Sequence, residues 1–174
     1  EIDVEDFNKK MLEHQKLSQT SSAGMFKGGL ANHNEATIKL HTAHHLLLAA
    51  LQSVLGPEVK QRGSNITEER LRIDFAFDRK MTDEEKKKVE DLVNEAIQKD
   101  FKVVKREMSK ADAEALGAQM EFGAKYGDTV SVYFIEDENG NTFSKEFCGG
   151  PHVEHTGSLG HFKIQKEEAS SQGV

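Results

Sequence analysis

Three features of the sequence predict an α+β fold, a mixed or antiparallel sheet with helices packed on it. A helix-period apolar run fills residues 36–55 and stops at Gly56-Pro57. Leu71-Arg72-Ile73-Asp74-Phe75-Ala76-Phe77 alternates at period two, the pattern of a half-buried strand. Val130-Ser131-Val132-Tyr133-Phe134-Ile135 is rich in strand formers, and the Asn139-Gly140 turn signal after it returns the chain through Thr142 to Phe147 as a hairpin.

Residues 3–20 read as a polar helix with Phe7, Met11, Leu12 and Leu17 as its sparse apolar positions, followed by a small, Gly/Ser-rich loop from Gln19 to Gly29. Residues 1–34 are therefore expected to be a helix and linker leading from an upstream domain, and 35–174 to be the functional domain. At about 100° per residue, Leu40, Ala43, Leu47, Leu51 and Val54 line one stripe of the long helix. His41 and His45 lie just beside that stripe and His44 nearer to it. Val59 to Ile66 reads as a strand bending at Gly63. Thr82-Asp83-Glu84-Glu85 matches a capping box opening a charged helix to about Lys99. Lys102 to Glu107 suggests a further strand, Ser109 to Leu116 a short helix ended by Gly117, and Phe162-Lys163-Ile164 a last strand.

A chain of 174 residues is one domain, or one with an appendage, and long enough to bury a core. No apolar run approaches the roughly 18 residues of a membrane helix, and nothing resembles a signal peptide. A single Cys excludes an internal disulfide, which together with the composition points to the cytoplasm. The first residue is Glu, so the chain reads as a piece of a longer polypeptide. The formal net charge of −7 argues against strong non-specific nucleic-acid binding by the whole surface, and leaves room for a local basic patch.

Chemistry concentrates in two pairs. His41 and His45 stand four apart on the long helix, on one side and one turn apart. Cys148-Gly149-Gly150-Pro151-His152 repeats the spacing in a loop, where the glycines allow tight bends and Pro151 restricts the chain before His152. Imidazole and thiolate are the donors zinc prefers. Alone, each pair is equally at home on a surface or in a core; together they make a four-ligand zinc site between a core helix and a C-terminal loop. Position 42 is Thr, which excludes the metalloprotease helix with its Glu base. His33, His155 and His161 read as ordinary polar histidines.

Taken in order, the stretches Thr37–Leu47, Gln61-Arg62-Gly63-Ser64, Glu69–Phe75, Cys148-Gly149-Gly150-Pro151-His152-Val153 and Thr156-Gly157 give the chain its family likeness. It resembles the editing domain of alanyl-tRNA synthetase, which is shared with free-standing alanyl-tRNA editing proteins and related to one in threonyl-tRNA synthetase. The likeness covers residues 35–174, and 5–34 resemble the segment leading into it.

The resemblance implies that His41, His45, Cys148 and His152 hold Zn2+, and that the domain hydrolyses the ester of serine or glycine wrongly joined to tRNA(Ala). Its partners are then the acceptor end of that tRNA and the remaining synthetase domains. Aminoacylation is not expected, since no activation site is recognisable. The need is physical: a pocket sized for alanine cannot exclude smaller glycine and has limited power against serine. Gln61 matches a pocket position that affects activity. His44 stands where the family usually carries a threonine that helps read the serine hydroxyl, so it either reads that hydroxyl itself, weakens discrimination, or competes with His45 for metal. Because four ligands would close a zinc site, Cys148 is expected to be the weakly held ligand, one whose loss abolishes hydrolysis and spares the metal. Cys148, Gln61 and His44 are thus the candidate catalytic residues. Arg62, Lys60, Arg70 and Arg72 are the candidate tRNA contacts, and Lys86-Lys87-Lys88 reads chiefly as a solvated helix face. A zinc-stabilised tRNA-binding module without hydrolysis, and a free-standing deacylase, are the alternatives.

Overall fold

The computed structural model describes residues 30–120 and 125–169, and it is α+β as expected. The N-terminal helix expected over 3–20 lies outside the described residues. Helix α1 (Glu35–Leu55) is followed by strands β1 (Gln61–Ile66) and β2 (Leu71–Phe75), then helix α2 (Asp83–Gln98). Strand β3 (Lys102–Ser109), a short helix α3 (Lys110–Ala115), strands β4 (Thr129–Glu136) and β5 (Thr142–Phe147), and a 3-10 turn (Thr156–Leu159) complete the order. The sheets are antiparallel: a β1-β2 ribbon and a three-stranded sheet ordered β3-β4-β5.

Helix α1 begins where the Asn34 side chain accepts from the Thr37 N–H and ends at Gly56, whose φ of 124° only glycine adopts readily. The narrow stripe predicted for it is too modest. Every residue from His41 to Leu48 is buried, because the β1-β2 ribbon, α2 and β5 all pack on this helix. Its polar residues at 41, 42, 44 and 45 are thus core residues.

Strand β4 explains how one sheet serves two cores. Val130, Val132 and Phe134 face α3 and the chain after it, packing with Ala113, Ala118 and Phe147. On the opposite side, Ile135 joins the main core of Leu46, Leu47, Leu51, Val89 and Val93. Period-two alternation produces this division. A register shift at Ile135/Glu136 lets Phe143 of β5 join the main core as well.

Phe162-Lys163-Ile164 is not a strand. Side chains of α2 take its backbone groups instead: Asn94 accepts from the Phe162 N–H and donates to its carbonyl, and Glu90 accepts from the Ile164 N–H at 2.7 Å. With those groups satisfied, no strand partner is required.

The predicted capping box is present, with Thr82 and Glu85 exchanging side-chain bonds to each other's backbone N–H. Glu85 also forms a forked pair with Arg79 at 2.7 and 2.8 Å. Hydrogen bonding from Arg79 and from the Thr82 N–H lowers the Glu85 pKa from 4.5 to about 2. A depressed carboxyl pKa stabilises the fold above its unfolded value and ceases to do so as pH falls through the folded one. The deficit of Glu85→Gln relative to wild type is therefore expected to be full at neutral pH and to shrink between about pH 4.5 and 2, as read by urea midpoints. A deficit that grows on acidification contradicts the assignment.

Candidate metal centre

The histidines and the cysteine come together through matched spacings. Four residues along α1 advance about 6 Å, and two along a strand advance about 6.7 Å. His41 and His45 on α1 therefore face two positions, Cys148 and Glu146, that alternate onto one side of β5 and its continuation. The β4-β5 ladder extends one step past the strand, as the Cys148 N–H donates to the Ser131 carbonyl at 3.1 Å. That bond carries the sheet's order into the Cys-Gly-Gly-Pro-His loop.

His41, His45, Cys148 and His152 form one group, each offering a ligand atom within 4.8 Å of the others. Sγ of Cys148 lies 3.4 Å from Nε2 of His41 and 3.4 Å from Nε2 of His152. Zinc–nitrogen and zinc–sulfur bonds of about 2.0 and 2.3 Å at a tetrahedral angle give an edge of about 3.5 Å. The donor set and these separations fit a zinc ion. Rings of His41 and His152 stack at 4.1 Å, and Tyr133 covers His152 at 4.2 Å. The Nδ1–H of His41 donates to the Pro151 carbonyl at 2.9 Å, which turns the lone pair of Nε2 toward the cysteine.

Burial sets the charge state. It pushes the His41 pKa down to about 4 and that of His44 to about 3, and it holds His45 and His152 well below 6.5. All four imidazoles are neutral near pH 7, the form that ligates metal.

His44 departs from the group. Among the described residues, buried His44 has no hydrogen-bond partner at either ring nitrogen. It falls instead with His45 and Glu146, a second trio within 4.8 Å. It is therefore not placed to replace His45 beside His41 and Cys148. The Glu146 carboxylate lies 3.8 Å from Nε2 of His45 and accepts from the Ser144 hydroxyl.

The sulfur of Cys148 meets two imidazoles and accepts from the Gly150 N–H at 3.5 Å, while Nε2 of His45 lies 3.8 Å from the Glu146 carboxylate. The chain bends at Gly150 as expected, with no positive φ there or at Gly149. Gly150 is small for another reason: a Cβ there would sit 2.6 Å from Cε1 of His41, while one at Gly149 would meet nothing within 4 Å. Gly150→Ala is expected to cost about 1–3 kcal/mol of overpacking, and Gly149→Ala almost nothing, in parallel denaturant titrations. Equal costs would contradict this geometry.

Gln61 is buried at the start of β1 next to a register shift, and Arg62 beside it points outward. Lys60 donates to Gln119 at 2.9 Å, Arg72 pairs with Asp74, and Arg70 is exposed in the ribbon turn. Lys60 directly precedes the ribbon, and the three arginines lie on it. Lys87 and Lys88 are exposed, as expected of a solvated face, whereas Lys86 is half-buried and pairs with Glu167 as well as Asp83.

Residues that spacing alone did not select are Thr42, the Pro151 carbonyl and Glu146. Glu146 was within reach of the sequence, because Glu-x-Cys on a strand matches His-x-x-x-His on a helix.

This core helix and loop, meeting at four side chains that could hold a metal beside an antiparallel sheet, define a class. The family described as the threonyl and alanyl tRNA synthetase second additional domain matches residues 130–174. Alanine--tRNA ligase of Treponema denticola is 53% identical over 173 residues, covering 99% of this chain and 28% of the relative. That of Borreliella afzelii is 53% identical over 174 residues, covering 100% and 28%. A more distant one from Pseudothermotoga lettingae is 46% identical over 139 residues, covering 80% and 16%. The chain belongs to the alanyl-tRNA synthetase family, as its editing-domain part. It spans about 28% of the length of the first two relatives. Among the described residues, no helix is long and apolar enough to cross a membrane.

Proposed function

We propose that this chain is a zinc-dependent aminoacyl-tRNA deacylase that clears serine and glycine from tRNA(Ala) within a longer, cytoplasmic alanine--tRNA ligase. The observation that carries the reading is the convergence of His41, His45, Cys148 and His152 beside a buried His44 with two unbonded ring nitrogens. Held among these donors, zinc would supply a Lewis acid once one of them leaves a position open. The chain's own residues supply selection. As a neutral imidazole, His44 has one donor and one acceptor, and a serine hydroxyl can answer one of them, accepting from the N–H or donating to the bare nitrogen. Alanine would leave both unanswered inside the core, and a buried unpaired polar group costs about 1–3 kcal/mol. Glycine has no hydroxyl, so its handling rests on size and not on His44.

Gln61 faces inward and Arg62 outward from adjacent positions of β1. In this account Gln61 helps line the amino-acid site while Arg62, with Lys60, Arg70 and Arg72, meets the phosphates of the acceptor end. Phosphate contacts position the nucleic acid and leave selection to the pocket.

The test is loss of ester from matched seryl-, glycyl- and alanyl-tRNA(Ala) incubated with the chain. Seryl and glycyl esters are expected to disappear well above the buffer rate and the alanyl ester to persist. No acceleration of any of the three favours the zinc-stabilised tRNA-binding module instead.

A further inference from the structure

Thr42 follows the first metal-ligand candidate directly and is wholly buried, yet it is neither a ligand nor an apolar residue. Three groups surround its hydroxyl oxygen: the Ile38 carbonyl at 3.3 Å, Nδ1 of His152 at 3.0 Å and the Val153 N–H at 3.2 Å. A hydroxyl has one proton and two lone pairs. The Ile38 carbonyl can only accept and the Val153 amide can only donate. With the Thr42 proton given to the Ile38 carbonyl, one lone pair remains, and Nδ1 of His152 fills it by carrying its own proton. The Nε2 of His152 is then left with its lone pair facing Sγ of Cys148 at 3.4 Å.

We infer that Thr42 is a positioning residue for the metal centre, one that holds His152 in the Nδ1–H tautomer and in the orientation that ligates. The inference rests on the reading of the four donors as a zinc site. It has a counterpart in the opposite direction. His41 of the helix donates to the Pro151 carbonyl of the loop at 2.9 Å, while His152 of the loop donates to Thr42 of the helix. Two crossed hydrogen bonds, each spanning 110 residues of sequence, thus tie α1 to the loop and fix the orientation of both imidazoles. The opposite arrangement, with the Thr42 proton on Nδ1, would put the His152 proton on Nε2 and block ligation.

The experiment compares zinc affinity, by competition with a chromophoric chelator, for wild type, Thr42→Val, Thr42→Ser and His152→Ala. Loss of an outer-shell partner typically weakens metal binding about 10–100-fold, and Thr42→Val is expected to fall in that range. Thr42→Ser, which keeps the hydroxyl, should bind within a few-fold of wild type; a merely structural role for the methyl would not produce this rescue. Thr42→Val binding zinc like wild type while His152→Ala does not would overturn the inference and leave the zinc reading intact. Wild type and His152→Ala binding zinc equally would remove the zinc reading, and the inference with it. Should Thr42→Val fail to fold, the imidazole nitrogen-15 shifts of metal-free wild type decide: Nδ1–H on His152 supports the inference, and Nε2–H overturns it.

Discussion

Replacing Cys148 with Ala is expected to weaken zinc binding by more than the roughly 10–100-fold typical of losing an outer-shell partner, and to abolish deacylation with it. The sulfur is the hub of the group, 3.4 Å from Nε2 of both His41 and His152, and an alanine methyl offers no lone pair. Nor can the gap be refilled from nearby. His44 belongs with His45 and Glu146, and Tyr133, although it covers His152, faces it with its ring. Zinc content by mass spectrometry under native conditions, measured beside seryl-tRNA hydrolysis, checks this result. A Cys148→Ala chain that keeps its zinc but loses hydrolysis would contradict it and make the cysteine the loosely held ligand.

His44→Leu is expected to move stability and selection in opposite directions. Removing two unpartnered nitrogens from a fully buried ring relieves a desolvation cost of about 1–3 kcal/mol, so the variant's urea midpoint should rise or hold. The same change deletes the groups proposed to read the serine hydroxyl. Seryl-tRNA hydrolysis should fall about 10–100-fold, the equivalent of a lost buried hydrogen bond worth roughly 1–3 kcal/mol, while glycyl-tRNA hydrolysis stays within a few-fold. His44→Thr, which restores a hydroxyl, should recover much of the seryl activity. Equal losses on the seryl and glycyl esters would mean that His44 supports the fold or the zinc group and does not read the substrate.

The elements with strong local signals were legible. Helix α1 is bounded by Asn34 and Gly56, α2 is opened by Thr82 and Glu85, and the β4-β5 hairpin turns at Asn139-Gly140, each because nearby residues satisfy the chain's own ends. Phe162–Ile164 misled because a short apolar run carries no record of who accepts its N–H groups, and here Asn94 and Glu90 do. The stripe predicted on α1 was too narrow for a related reason. Periodicity counts apolar residues, whereas His41, Thr42, His44 and His45 are buried for their polar atoms.

At the site, the two ligand pairs could be read from spacing and donor chemistry, but their meeting depends on the step of a helix matching that of a strand. Thr42 and the Pro151 carbonyl were invisible for a simpler reason. A hydroxyl or a carbonyl bonds whatever tertiary structure brings to it, and nothing in the local sequence names a partner 110 residues away.

The central claim is that hydrolysis depends on metal held by these four side chains. Its most direct test strips the chain with a chelator, confirms by circular dichroism that the fold persists, and follows seryl-tRNA(Ala) hydrolysis as zinc is returned. The account predicts loss of hydrolysis on stripping and recovery that saturates at one zinc per chain. Hydrolysis that survives stripping, with no zinc detectable, would contradict it.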